Sequence, residues 1–170
     1  MTYLKDRFDF LYNGEATKRF HTVRTLGQNT VAEHSFTMLW LIFLMKEGKW
    51  QHIDHIFMAA ITHDIAEWKA GDMPAPSKRA TKMGEALSAY EGHLLSQVNL
   101  YFSLDEEDKR ILKLADCLSG LLFCVTERAM GNTFVTESFN NYCAYIKELE
   151  PALIEKELFD IIVQKWRAIA

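Results

Sequence analysis

The chain has 170 residues, 49% hydrophobic and 25% charged, with 8 Gly, 3 Pro and a net charge of −4. A chain of this length buries roughly two-thirds of the surface its unfolded state exposes, so one domain can fold without disulfide or metal staples. The acidic balance argues against a nucleic-acid partner, and the longest apolar stretch, Phe36 to Met45, falls short of the about 20 residues that a membrane span needs.

Three cysteines make no disulfide framework, and the opening Met1-Thr2-Tyr3-Leu4-Lys5-Asp6 carries no apolar leader. Both features predict a cytoplasmic chain. Low Gly and Pro and few alternating β-branched runs predict an all-α fold. Tyr3 to about Phe20 reads as a first helix, frayed near Asn13-Gly14, and residues 21–30 are irregular. Thr30-Val31-Ala32-Glu33 fits a capping box and opens a helix to about Lys46, with Gly48 as its stop. Phe36, Met38, Leu39, Trp40, Leu41, Ile42, Phe43 and Leu44 run almost all round this helix, which predicts burial on every side.

Ile53, Ile56, Phe57, Ala60 and Ile61 predict one helix from His52 to about Ala70, ended by Gly71 and followed by a loop through Pro76. Residues 78–100 read as a further helix, with Met83, Leu87, Tyr90, Leu94 and Val98 as its inner stripe. Ser103-Leu104-Asp105-Glu106 resembles a second capping box and opens a long helix through Ile111, Leu114, Leu118, Leu121 and Val125, closed at Gly131-Asn132. Helices over 134–149 and 152–168 complete the chain, with Pro151 at the start of the last. Ile161, Ile162, Trp166 and Ile169 on that helix suit either an interface or the core. The expected architecture is a single all-α helical bundle over residues 1–170.

A few polar residues interrupt these apolar helices. His34 lies one turn into the most apolar one, His63-Asp64 sits between Ile61 and Ile65, and Asp116 breaks Leu114-Ala115-Asp116-Cys117-Leu118. A lone histidine on an apolar face is more often a hydrogen-bonded core residue than a ligand. Two imidazoles and two carboxylates on inner helices together make a mixed nitrogen and oxygen site for a divalent cation. Glu67 follows His63 by four residues, so on a helix it shares that face. A carboxylate there suits proton transfer, and an ion pair with Lys69 or Lys5 is the competing reading.

The set resembles the HD superfamily of metal-dependent phosphohydrolases. Val31-Ala32-Glu33-His34-Ser35, His63-Asp64-Ile65-Ala66-Glu67, Gly71-Asp72-Met73-Pro74-Ala75-Pro76-Ser77-Lys78 and Lys113-Leu114-Ala115-Asp116 resemble segments of the YfbR-like 5′-deoxynucleotidases. Arg19-Phe20 stands at that family's Arg-Trp position, where Phe keeps stacking area and loses the indole N–H. The chain is also similar to the short phage HD enzymes that remove dATP in viruses using 2-aminoadenine, which would place it in host cytoplasm.

The resemblance implies an HD-type bundle with a metal held by His34, His63, Asp64 and Asp116, the ion being Zn, Co, Mn, Ni or Mg. It implies Glu67 as acid or base and Asp72 at the sugar 3′-hydroxyl or a second metal. Arg19, Lys78, Arg79 and Lys82 would face phosphate, while Phe20, Thr22 and His21 would line the base and sugar pocket. The cations of Ser77-Lys78-Arg79-Ala80-Thr81-Lys82 favour a triphosphate over a monophosphate. The expected substrate is thus a deoxynucleotide, dATP first and deoxynucleoside monophosphates as the alternative, with a homo-oligomer as the working form. A signalling-nucleotide hydrolase fits less well, because His52, His55 and His93 form no second cluster. Four intact ligand positions argue against a catalytically dead interaction module.

Overall fold

The structure, a computed structural model, describes residues 2–48, 51, 53–74, 77–78 and 83–169. Among these residues the regular structure is helical: α1 Thr2–Glu15, α2 Val31–Met45, α3 Ile53–Thr62, α4 Glu67–Ala70, α5 Met83–Gln97, α6 Glu106–Ala129, α7 Thr136–Glu148 and α8 Leu153–Ala168. None of these helices is long and apolar enough to cross a membrane.

The capping box before α2 forms as expected: Thr30 Oγ1 accepts from the Glu33 N–H and the Glu33 carboxylate accepts from the Thr30 N–H. At α6 the cap is Asp105 alone, whose carboxylate accepts from the Asp108 N–H at 2.8 Å, and not the box proposed at Ser103. Before α8 the Glu155 carboxylate accepts from the Ala152 N–H at 2.6 Å and takes two bonds from Arg110.

α6 is the central rod. α2, α3, α7 and α8 pack around it. Met38, Leu41, Ile42, Ile56, Leu114, Leu118, Leu121, Phe139, Ile146, Phe159, Ile162 and Trp166 fill the main apolar cluster. Phe139 and Trp166 stack with ring centroids 3.9 Å apart. A smaller cluster joins Phe10 of α1, Val31, Ile65, Ala66, Leu94, Leu95 and Leu100. His34 lies between Val31 of the small cluster and Met38 of the large one, so the polar residues occupy the seam between two dry regions.

Several expectations need correction. α1 ends at Glu15 and not near Phe20; Thr17 to Thr30 is a loop pinned by an isolated bridge between Lys18 and Thr30. The helix expected from His52 to Ala70 breaks over residues 63–66, where 3₁₀-type bonds (Ile65 N–H to Thr62, Glu67 N–H to Asp64) tighten the chain. α2 is not buried all round: Phe36 is 70% exposed, and Trp40, Phe43 and Leu44 are exposed with it. An apolar helix needs neighbours on every side to be buried so, and Phe36, Trp40 and Leu44 stay exposed among the described residues. On α5, Met83 and Tyr90 point outward, and the inner line is Leu87, Glu91 and Leu94, with Val98 in the turn that follows. In α8, Ile162 and Trp166 belong to the core while Ile161 is exposed.

Candidate metal centre

Three elements bring the polar residues together: α2 carries His34, the tight turn after α3 carries His63 and Asp64, and α6 carries Asp116. One ligand atom from each of the four lies within 4.8 Å of the others. His34 Nε2 is 3.3 Å from His63 Nε2, 3.6 Å from Asp64 Oδ2 and 3.4 Å from Asp116 Oδ1. His63 Nε2 is 3.2 Å from Asp64 Oδ2. Ligands about 2.1 Å from a shared ion stand roughly 3.0–3.4 Å from each other, so the spacing fits a first-row divalent cation.

The tautomers fit as well. His63 Nδ1 lies 2.9 Å from the Ala60 carbonyl, which only accepts, so Nδ1 carries a proton and Nε2 is the atom turned to the cluster; burial opposes charge on this ring, but Asp64 and Asp116 raise it above its ordinary value while no cation is there. His34 Nδ1 is 2.9 Å from Ser119 Oγ, which leaves its Nε2 facing the same point. Two imidazole nitrogens turned to one point suit a shared cation, and the outer bonds orient the rings. Burial, with Arg19 beside it, pushes the His34 imidazole down to about 4 and keeps it neutral, as a ligand must be. Burial opposes charge on Asp64 and Asp116 too, but His63 and Arg19 for the one, and Lys113, His34 and Arg19 for the other, hold both carboxyls below their usual range.

Arg19 is half in the site. Its guanidinium pairs with Asp64 and, at 3.2 Å, with Asp116 Oδ1, while its Nε is buried without a partner. Phe20, next to it, has φ of +57°, a left-handed backbone costing a bulky residue about 1–2 kcal/mol. The Arg19 N–H to Asn29 bond and the Val23 N–H to Phe20 bond impose that bend. Phe20 then packs on Phe123 and Tyr142, with centroids 4.7 and 6.2 Å away.

A cavity of about 770 Å³ opens over the cluster. Arg19, Phe20, His21, Thr22, Glu67, Asp72 and Lys78 all line it, which unites every described residue expected at the substrate. Arg79 and Lys82 lie outside the described residues. Glu67 is 3% exposed, and its nearest cation is Lys78 at 3.5 Å rather than Lys69 or Lys5. Burial, then Asp64 and Asp72, push its carboxyl up to about 9 while the cluster holds no cation, which favours the protonated acid. Asp72 pairs with His21 at 3.0 Å and stands apart from the four-ligand cluster.

Sequence reading missed Ser119, Glu91, Tyr142 and Arg24. Ser119 follows Asp116 by three residues on α6 and so shares its face, a signal present in the spacing. The others reach the cavity from α5, α7 and the 17–30 loop, with no motif to mark them.

The HD domain family matches residues 15–113. This chain belongs to the HD-domain family. It is a hydrolase, and its cofactor is a divalent cation. A 5′-deoxynucleotidase of Vibrio parahaemolyticus is 29% identical over 147 positions, covering 74% of this chain and 76% of that protein. A second, from Vibrio vulnificus, is 28% identical over the same coverage. An HD-domain phosphohydrolase of Listeria innocua superposes with a TM-score of 0.78 at 23% identity, covering 97% of this chain and 90% of that one. The HD phosphohydrolase DatZ of cyanophage S-2L, bound to dA and one catalytic Zn2+ ion, superposes with a TM-score of 0.74 at 18% identity, covering 94% and 95%.

Proposed function

We propose that this HD hydrolase cleaves 2′-deoxynucleotides at the 5′ phosphate ester, converting dATP to deoxyadenosine and triphosphate. The shape and charge of the cavity carry this reading. Arg19, Arg24, Lys78, Lys109 and Lys113 line its wall around the ligand cluster. Cations drawn from a loop, the Lys78 turn and α6 suit an extended polyphosphate better than one phosphate. The Vibrio 5′-deoxynucleotidases favour a second reading, release of phosphate from deoxynucleoside monophosphates.

Both readings break the same bond and assign the same roles. His34, His63, Asp64 and Asp116 would hold the divalent cation, which supplies phosphate polarisation and an acidified water. Arg19 and Lys78 bind phosphate oxygens, and Arg19 is already poised on the carboxylates beside them. Water oxygen bonds to the α-phosphorus as the bond to the 5′-oxygen breaks, and the proton that this water sheds passes to solvent, from which Glu67 is reprotonated after turnover. Glu67, protonated and buried, hands its proton to that leaving oxygen. Asp72 accepts from the 3′-hydroxyl, while Phe20, Thr22 and His21 border the base and sugar. The enzyme works as a homo-oligomer, joined through the exposed Phe36, Trp40 and Leu44 of α2.

Phosphorus NMR of the metal-loaded enzyme with dATP, and separately with dAMP, tests the reading. Tripolyphosphate from dATP supports it. Orthophosphate from dAMP with dATP untouched moves the enzyme to the monophosphate reading. Neither product from any deoxynucleotide overturns both.

A further inference from the structure

α5 lies outside the ligand cluster and belongs to none of the segments that carry the resemblance, yet it touches Lys78 at two points. Gly84 brings its backbone against the Lys78 carbonyl so closely that a Cβ there would stand 2.6 Å from the oxygen. Two helical turns further along, Glu91 reaches into the cavity, its side chain 13% exposed. Its Oε1 is buried, has no hydrogen-bond partner, and lies 3.7 Å from Lys78 Nζ. Glu67 Oε1 lies 3.5 Å from the same ammonium. Lys78 thus hangs between two carboxyl groups and is bonded closely to neither.

The arrangement has a chemical consequence. With Glu67 as its only carboxyl neighbour, Lys78 would favour loss of the Glu67 proton and close into a direct ion pair with it, removing both an acid and a cation from the site. A second carboxylate on the other side divides the attraction. It also places a half-buried ammonium where a phosphate oxygen can displace two long contacts at little cost. Glu91 interrupts the apolar inner line of α5 between Leu87 and Leu94, where an apolar residue would pack more cheaply.

We propose that Glu91 is a positioning residue that holds Lys78 between itself and Glu67 so that the ammonium meets the substrate phosphate. This rests on the cavity being a phosphate site. Glu91 touches no substrate in this scheme and acts only through Lys78.

The test is a double-mutant cycle on the metal-loaded enzyme with Glu91→Gln, Lys78→Met and both together. Bound metal and thermal midpoint are measured first, then KM and kcat for the deoxynucleotide that the wild type cleaves. Binding of inorganic tripolyphosphate by calorimetry is followed in parallel. Glu91→Gln is expected to raise KM and weaken tripolyphosphate binding by about 5- to 20-fold, which is about 1–2 kcal/mol, with metal content unchanged. In the Lys78→Met background the same change is expected to have less than about a twofold effect, because the residue it acts through is gone. Equal effects in both backgrounds, or a wild-type KM for Glu91→Gln, overturn the proposal. If no deoxynucleotide is cleaved but tripolyphosphate binding still shows the coupling, the positioning role stands and the substrate reading falls. Glu91→Asp supplies the rescue control: an intact charge one methylene shorter should recover part of the lost affinity, and no recovery counts against a charge-based role.

Discussion

Ser119 donates nothing to the reaction, yet it fixes His34: its Oγ sits 2.9 Å from Nδ1, inside α6, with both residues buried. Without it the ring can rotate or change tautomer, and the ligand nitrogen moves. Ser119→Ala is expected to weaken metal binding by about 10–100-fold, read by competition with a chromogenic chelator; unchanged affinity would show that packing alone orients the ring. Glu67 acts at a different step. Glu67→Gln keeps shape and hydrogen bonding but has no proton to give, so metal content should hold while kcat falls by about 10²–10⁴. A kcat within a few-fold of wild type would take the acid role from it.

At the scale of an element, the 17–30 loop has to be held without regular structure, and buried side chains do it. Glu127 of α6 accepts from the Leu26 N–H at 2.7 Å, the Gly27 N–H at 2.6 Å and Asn132 Nδ2 at 2.6 Å. Asn132 also donates to the Arg24 carbonyl at 2.8 Å, which ties the loop to the turn after α6. Burial opposes the Glu127 charge, but these three bonds outweigh it and hold the carboxyl below its ordinary 4.5. A lowered carboxyl stabilises the fold above 4.5, and this contribution is lost as pH falls through the folded value. Glu127→Gln is therefore expected to cost about 1–3 kcal/mol at neutral pH, with the gap to wild type narrowing below pH 4.5. Chemical denaturation across that range checks it, and a constant gap would contradict the assignment. Helix contact shapes the opposite wall. A Cβ on Gly120 of α6 would collide with the Tyr142 ring, so the glycine lets this phenol settle against the rod and border the cavity beside Phe20.

For the whole molecule, the exposed face of α2 is the largest departure from a self-sufficient bundle. Phe36, Trp40 and Leu44 recur at helical spacing on the side away from α6, with Phe36 70% exposed. Trp40→Glu should leave the fold intact and convert an oligomer to a smaller species in light scattering; a wild type already monomeric would refute the interface. Much of the molecule was legible beforehand. Thr30 and Glu33 cap α2, the 3.6-residue pattern marks α6, and His34, His63, Asp64 and Asp116 stand out as polar breaks in apolar runs. These signals act between residues close in sequence, or arise because burial penalises the wrong residue type wherever it falls. The remainder was decided in three dimensions. The turn over 63–66 ends α3 under the seam between the two apolar clusters, Glu91 replaces Tyr90 on the inner line of α5, and Arg24, Glu91 and Tyr142 meet at one cavity from distant segments. A helix sequence states which faces are apolar. Which face a neighbour covers, and which side chains then share a pocket, follows from close packing between elements far apart in the chain, and that is settled only when all of them are in place.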